Sequence, residues 1–585
     1  MKIENYKLKI CLLLIICIGA FFRFYKLDWG NGLFTHPDEY HIVGSVDQLS
    51  FPNQMNPHFF SYGTVIIYTI YFTKELILFI NSHNSLFLIP NSLFLIGRFY
   101  SAFFSTFTIL IMYYISRFFL NKHFSLLPTF LVAITPGLIQ QAHFATPESI
   151  LIFFVFGSLL FLLSYVKYKR RHFLFLASVF LGFALGVKIS SLIFLAPLIA
   201  GVILSECHSR ESRRYPEGHG NPESRLRIKS AMTIIKHEIT ILRLVITSTT
   251  ISLITFAIVD PFVFLDFSAF RGNLEYEGNL AAGNIPVFYT RQFIQTTPVL
   301  FQIEKIFPYT LGLPILIAGL AGFFLSITHL GWWRGNDLDS SEVNSRAELL
   351  ILIIAFLSLF IPNAFLLAKW TRFISPIFPF FAIFASFFIF FIRKNNKYLS
   401  NACMVILLLG TILWTSAFFS IYTNADIRIT ASKWLVANTP SRSVILIEGG
   451  NMIDIPLEGN FNRIGFDFYT FENDPLTRLK IAKGLEQANY FLVQSRRVFL
   501  NHQRARKQFP KTAHFYDMLF AGKLGFEEIK EFHRYPSLSL GNFSLEVPDE
   551  QAEETWSVFD HPVIRIFKKN AKLSKEDYAK IFEEQ

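Results

Sequence analysis

Cysteine is scarce in this 585-residue chain: Cys11, Cys17 and Cys403 lie inside apolar runs and Cys207 at the end of one. That placement implies neither a disulfide framework nor a zinc cage. A glycine-rich phosphate loop is also lacking. Gly449-Gly450 follows an apolar stretch but does not make G-x-G-x-x-G, so there is no case for a nucleotide-binding fold. The first apolar run follows Lys7 and Lys9, has no A-x-A-like cleavage site and leads straight into Arg23. It is therefore expected to be an uncleaved anchor rather than a removable signal.

What the chain does have is apolar surface. It is 52% hydrophobic, carries 69 Phe and has a mean hydropathy of +0.39. Runs of about 20 apolar residues, each long enough to cross a hydrocarbon core as a helix, recur from residue 8 to residue 421. Spans are expected near 8–24, 93–116, 124–142, 147–166, 172–187, 189–205, 236–259, 306–328, 348–368, 370–392 and 401–421. The net charge of +11 would suggest nucleic acid in a soluble chain. Here Lys and Arg cluster between apolar runs, which points to cytoplasmic anchoring and no nucleic-acid partner.

Residues 59–80 are also long enough to span. Counting them would place the basic loops Arg117–Lys122, Lys167–Arg171, Arg210–Lys229 and Arg393–Lys397 outside. The positive-inside rule instead favours a helix in the outer interface. Eleven spans result, with the N-terminus inside and the C-terminus outside. Residues 25–92 then form one external loop, in which Ile42, Val46 and Leu49 mark an amphipathic surface helix. A second external loop covers 260–305. Residues 206–235, rich in Gly, Pro and charge, are expected to form a flexible cytoplasmic linker. From 422 the composition changes to short strands at 444–447, 490–493 and 563–567 and helices at 426–438 and 474–488. The fold class expected is a polytopic α-helical membrane protein (1–421) with an extracytoplasmic α/β domain (422–585).

The residues able to do chemistry gather on the outer side. Asp38 and Glu39 follow the first span within His36-Pro37-Asp38-Glu39, and a carboxylate there can take a proton from an acceptor hydroxyl. Arg98, at the outer end of the second span, either snorkels or offers a planar fork to a lipid phosphate. Lys369 and Arg372 go against the positive-inside trend, which favours phosphate binding, and Lys188 stands in a short outer hairpin. Glu148 either complements a helix N-terminus or supplies a second acid. His36, His41, His58 and His143 all fall outside, but their spacing matches no compact metal-ligand motif, so no metal or other cofactor is called for.

Several segments in order resemble a known family. They are His36-Pro37-Asp38-Glu39, Asn56-Pro57-His58-Phe59-Phe60-Ser61-Tyr62, Gly97-Arg98-Phe99-Tyr100-Ser101-Ala102, Thr146-Pro147-Glu148, Gly186-Val187-Lys188 and Arg372-Phe373-Ile374-Ser375-Pro376. The chain resembles GT-C fold glycosyltransferases of family 39, the group of protein O-mannosyltransferases and the lipid A aminoarabinose transferase. The resemblance implies a polyprenyl-phosphate sugar as donor and a hydroxyl on protein, lipid or glycan as acceptor. It makes Asp38 the catalytic acid of the Asp-Glu pair and Arg98 the lipid-phosphate arginine. Glu148 stands where aspartate is usual, and the Pro-Pro-Leu plus lysine element of some members is replaced around Pro57-His58, leaving His58 or Tyr62 as phosphate contacts. Localisation to the plasma (inner) membrane follows. A transporter or flippase would place charges at mid-membrane in two similar halves, whereas here they gather at one face. An oligosaccharyltransferase or polymerase of related fold is the other alternative.

Overall fold

The computed structural model describes residues 2–80, 91–211, 223–328, 346–451, 453–541 and 543–583. Parts of two expected loops, 81–90 and 212–222, lie outside the described residues. In chain order the first helices are α1 (Lys2–Phe24), α2 (Pro37–Asp47), α3 (Thr64–Ile80), α4 (Ser92–Ser116), α5 (Leu126–Ala133), α6 (Pro136–Ala142), α7 (Glu148–Tyr168), α8 (Arg171–Val187), α9 (Leu195–Glu211) and α10 (Glu223–Val259). They are followed by α11 (Phe262–Leu265), α12 (Phe267–Ala282), α13 (Leu300–Lys305), α14 (Phe307–Thr310), α15 (Leu313–Thr328), α16 (Arg346–Phe365), α17 (Thr371–Ile374), α18 (Phe378–Asn395) and α19 (Lys397–Thr423).

Among the described residues, seven helices are long and apolar enough to cross a membrane, and α8 and α15 are shorter apolar helices. α1 packs on α4 and α5, α8 on α7 and α10, and α15 on α18. The protein is a multi-pass membrane protein. At the α15–α18 contact a Cβ on Gly322 would meet the Phe384 carbonyl oxygen at 1.7 Å, so glycine is what permits this approach.

The span expected at 306–328 is divided between α14 and α15, and two further sequence expectations need correction. The span at 124–142 is not one helix: it breaks between α5 and α6, because Pro136 opens α6 and drives Thr135 into an extended conformation (φ −69°, ψ 117°). The carbonyls released by the break are taken up by a fully buried arginine. Arg23 donates to Ala133 O (2.7 Å), Val132 O (3.0 Å) and Gly19 O (3.0 Å), and to Ser105 Oγ (2.7 Å). Irregular backbone inside a membrane bundle survives only with such satisfaction. The linker expected at 206–235 is also largely helical, since α9 runs to Glu211 and α10 begins at Glu223.

The expected amphipathic helix at the start of the external loop is α2, with Ile42, Val46 and Leu49 buried. The helix expected within 59–80 is α3, whose Ile66, Ile67, Ile70 and Tyr71 are buried.

The C-terminal domain is built on a five-stranded sheet of order β2-β1-β3-β7-β4. Its strands are β1 (Val444–Glu448), β2 (Asn462–Phe466), β3 (Tyr490–Val493), β4 (Phe526–Phe532) and β7 (Ile564–Lys569), while β5 (Ser537–Leu540) and β6 (Phe543–Glu546) form a separate hairpin. β1 pairs in parallel with β2 and β3, and β7 runs antiparallel to β3 and β4. Alternate residues point to opposite faces. Ile445, Ile447 and Leu492 pack under α20 (Ile427–Asn438), while Leu446, Phe491 and Val493 join Ile481, Phe515 and Phe582 on the other face.

A buried polar cluster fastens this domain to the membrane helices. Asp560 Oδ2 accepts from Tyr422 (2.9 Å, α19) and Gln140 (3.0 Å, α6). His561 lies between Asp560 and Asp549, the latter at 2.9 Å, and Trp556 Nε1 donates to Asp549 (2.7 Å). Burial pulls the His561 imidazole down, but the two carboxylates together push it up to about 10.

Candidate active site

The site is built around the start of α2. His36 is the N-cap, its Nδ1 accepting from Asp38 N at 3.2 Å, and Pro37 at the first helical position has no N–H to satisfy. Burial, with Arg372, Arg98 and Lys188 nearby, holds His36 well below its ordinary value, so it is a neutral imidazole able to accept. Asp38 and Glu39 both occupy the first turn, where negative charge complements the helix dipole. A helical step of about 100° then sends the neighbouring carboxylates in different directions.

Glu39 points inward and is fully buried. It receives a bidentate contact from Arg98 (Nε to Oε1 2.7 Å, Nη2 to Oε2 3.0 Å) and the backbone N–H of Ala145 (2.7 Å). Arg98 also donates to Leu27 O (2.7 Å) and lies over the rings of Trp29 (5.2 Å) and Phe34 (4.8 Å). The fork expected to meet a lipid phosphate is engaged by Glu39 in this structure. Glu39 is the buried ion-pair partner of Arg98.

The cation beside Asp38 is Arg372, whose Nη1 donates to Asp38 Oδ2. Tyr62 O–H donates to the same oxygen at 2.5 Å. Burial, with Glu148 and Glu277, pushes the Tyr62 phenol well up, so it stays a donor. Among the described residues, no protein group donates to Asp38 Oδ1. Arg372 Nε is buried with no protein partner, and its guanidinium lies over Trp370 (5.1 Å) and Phe373 (5.5 Å). Lys188 reaches the same place from the turn after α8: its Nζ is 4.4 Å from the Phe373 ring centroid, 5.4 Å from that of Tyr62 and 3.3 Å from Glu148 Oε1. Glu148 Oε2 is buried without a protein partner.

The structure thus brings together Asp38, Tyr62 and Arg372, with Lys188 and Glu148 alongside. Lys369 turns away and donates to Thr296 Oγ1 (3.2 Å) and Leu367 O (3.1 Å). His58 is exposed, with Nδ1 3.9 Å from Asp266, and stands outside the group. Among the described residues, no three His, Cys, Asp or Glu side chains converge as a metal-ligand set. Sequence reasoning missed Glu553 of the C-terminal domain, whose carboxylate accepts from Thr371 N at 3.0 Å and so fixes the segment bearing Arg372. No local pattern marks that residue, since its partner lies 182 positions away.

Residues 84–217 match a protein-family model, and the long apolar helices define the class as a multi-pass membrane protein. The family is described as dolichyl-phosphate-mannose-protein mannosyltransferase. No curated protein matches the chain. Among solved structures, the archaeal oligosaccharyltransferase AglB from Archaeoglobus fulgidus, in complex with an inhibitory peptide and a dolichol-phosphate, is 13% identical over 94% of this chain and 77% of its own, with a TM-score of 0.49. ArnT from Cupriavidus metallidurans is 12% identical in the apo state, over 82% of this chain and 91% of its own, with a TM-score of 0.38. Bound to undecaprenyl phosphate, the same protein is 11% identical over 82% and 92%, with a TM-score of 0.36.

Proposed function

We propose that the protein transfers a sugar, mannose or another hexose or pentose, from a polyprenyl-phosphate donor to a hydroxyl acceptor on the outer face of the membrane. The observation that carries this reading is the division of Asp38. Its Oδ2 is held by Tyr62 and Arg372, while no described protein group donates to Oδ1. A carboxylate so oriented can accept a proton at Oδ1. The acceptor oxygen, losing its proton to Asp38, forms the new bond to the anomeric carbon. The bond from that carbon to the phosphate oxygen breaks, and the electron pair leaves with the polyprenyl phosphate. Attack from the side opposite the phosphate inverts configuration, since base and leaving group occupy opposite faces of the sugar.

The unpartnered Nε edge of Arg372 and the ammonium of Lys188 supply positive charge where the phosphate gathers its negative charge. The family match at 84–217 supports the reaction class. In this reading the N-terminus is cytoplasmic, and the site and C-terminal domain face outward at the plasma (inner) membrane.

The test incubates purified protein with labelled polyprenyl-phosphate sugars and a panel of hydroxyl acceptors. Transfer by the wild type that vanishes in Asp38→Asn, with folding retained, is the expected result. Undiminished transfer by Asp38→Asn would overturn the assignment.

A further inference from the structure

The two neighbouring arginines after β3 have different partners. Arg496 holds the 552–557 segment, donating to Ser557 Oγ (3.2 Å) and to Ala552 O. Arg497 is buried, at 4% exposure, yet its Nη1 has no protein partner. Its Nε lies 3.1 Å from Glu554 Oε2, but not in hydrogen-bonding alignment. The turn that aims it is fixed by Ser495 Oγ, which accepts from Arg497 N at 3.1 Å. This turn stands at the carboxyl end of a parallel strand, the edge at which α/β sheets place ligand-binding loops.

Arg497 faces the membrane helices along a row of aromatic rings. Its guanidinium lies 5.4 Å from the Phe288 centroid, Phe288 meets Tyr289 at 5.1 Å, Tyr289 meets Trp370 at 6.1 Å, and Trp370 carries Arg372 at 5.1 Å. Glu553 and Glu554 reach to either side of this row, one to Thr371 N and the other to Arg497. The adjacent residues Glu553 and Glu554 thus tie the segment carrying Arg372 to Arg497. Arg372 has Asp38 and Arg497 has Glu554 as carboxylate neighbours, yet each keeps a buried nitrogen with no hydrogen-bond partner in the protein, which is costly unless a further acceptor meets it. Guanidinium forks match phosphate oxygens in both geometry and charge.

We infer that Arg497 is a phosphate ligand supplied by the C-terminal domain, acting with Arg372 across the seam between the domain and the membrane helices. This deepens the glycosyl-transfer reading and rests on it: the anion is the phosphate of the lipid-linked donor. The domain thereby contributes a side chain to the site itself.

The test measures binding of undecaprenyl phosphate and of inorganic phosphate to the full-length protein in detergent by native mass spectrometry. Arg497→Ala should weaken undecaprenyl phosphate binding roughly tenfold or more, the scale of losing a charge-assisted hydrogen bond. Arg497→Lys should retain part of the affinity, and Arg506→Ala, at an exposed pair with Asp517, should match the wild type. The same ranking with inorganic phosphate assigns recognition to the phosphate alone; a ranking seen only with the lipid assigns it to the lipid-linked form. Arg497→Ala binding as wild type, with unchanged melting, would overturn the inference.

If Arg497→Ala fails to fold, Glu554→Gln keeps the arginine and removes its acid neighbour. Equal or tighter binding is then expected, and a tenfold loss refutes the role. Failure of the transfer reading is separable: Asp38→Asn tests turnover and leaves Arg497 in place, whereas wild-type protein that binds neither phosphate would overturn both readings.

Discussion

Adjacent acids with opposite duties offer the sharpest test. Replacing Glu39 by Gln keeps the size of the side chain but removes the charge opposite Arg98. Glu39 accepts three bonds, two from Arg98 and one from Ala145 N, and both members of the pair have side chains with 0% exposure. The amide would also turn an N–H toward guanidinium donors. Breaking a buried pair by removing one partner costs about 3–5 kcal/mol, because the remaining charge is left uncompensated. Asp38→Asn keeps an oxygen able to accept from Tyr62 and Arg372, at a pair with side chains 11% and 14% exposed, so it should cost less stability than Glu39→Gln while lowering turnover by about 10²–10⁴, the span of general-base catalysis. Heating each variant in detergent and following the monodisperse fraction by size-exclusion chromatography, beside a transfer assay, separates the two effects. Glu39→Gln protein as heat-stable as the wild type but inactive, together with active Asp38→Asn, would show that the roles are reversed.

Tyr62→Phe removes the 2.5 Å donor to Asp38 Oδ2 and should slow transfer roughly tenfold with unchanged melting, since the group it orients is lost but not the packing. His561, raised to about 10 in the folded state from an ordinary value of 6.5, contributes stability that is fully present below pH 6.5 and lost as pH rises through about 10. Limited proteolysis should therefore show the C-terminal domain held at pH 6 and loosening toward pH 10, and His561→Gln should flatten that dependence. Burial raises Glu448 to about 8 despite donors from Tyr516 and Asn451, so the folded domain keeps its proton and loses stability as pH climbs past the ordinary value of 4.5 toward 8. Glu448→Gln, permanently neutral, should melt higher than the wild type above pH 8 and lose that advantage at pH 5.

Much of the membrane part was legible because long apolar runs are a one-dimensional signal. Most of the expected spans fall on continuous helices; 306–328 is divided between α14 and α15 at Gly312 (φ +76°), and 124–142 failed at Pro136, where a local rule about the preceding residue outweighed hydropathy. The three expected strands and two expected helices of the C-terminal domain match β1, β3, β7, α20 and α21 (Pro475–Gln487). β4 was not anticipated, because its central residues are exposed and charged. At the site, the sequence singled out Asp38, Tyr62 and Arg372 as candidates, but not which cation meets which acid. A helical step of about 100° separates the directions of Asp38 and Glu39, and Asp38 and Arg372 are 334 positions apart in the chain. Pairings of that kind are settled by tertiary packing.

The cap of α2 has a consequence for how the protein can be cut. The His36 ring is wedged between Phe144 of the membrane bundle, at 5.0 Å, and Phe559 of the C-terminal domain, at 4.7 Å. A truncation ending near residue 423 would therefore uncover one side of the imidazole that starts the acid-bearing helix, and would also take away the carboxylate of Glu553 that secures the Arg372 segment. The helical half expressed alone would thus make a misleading minimal protein: its helices could insert correctly while Asp38 and Arg372 both lose their alignment.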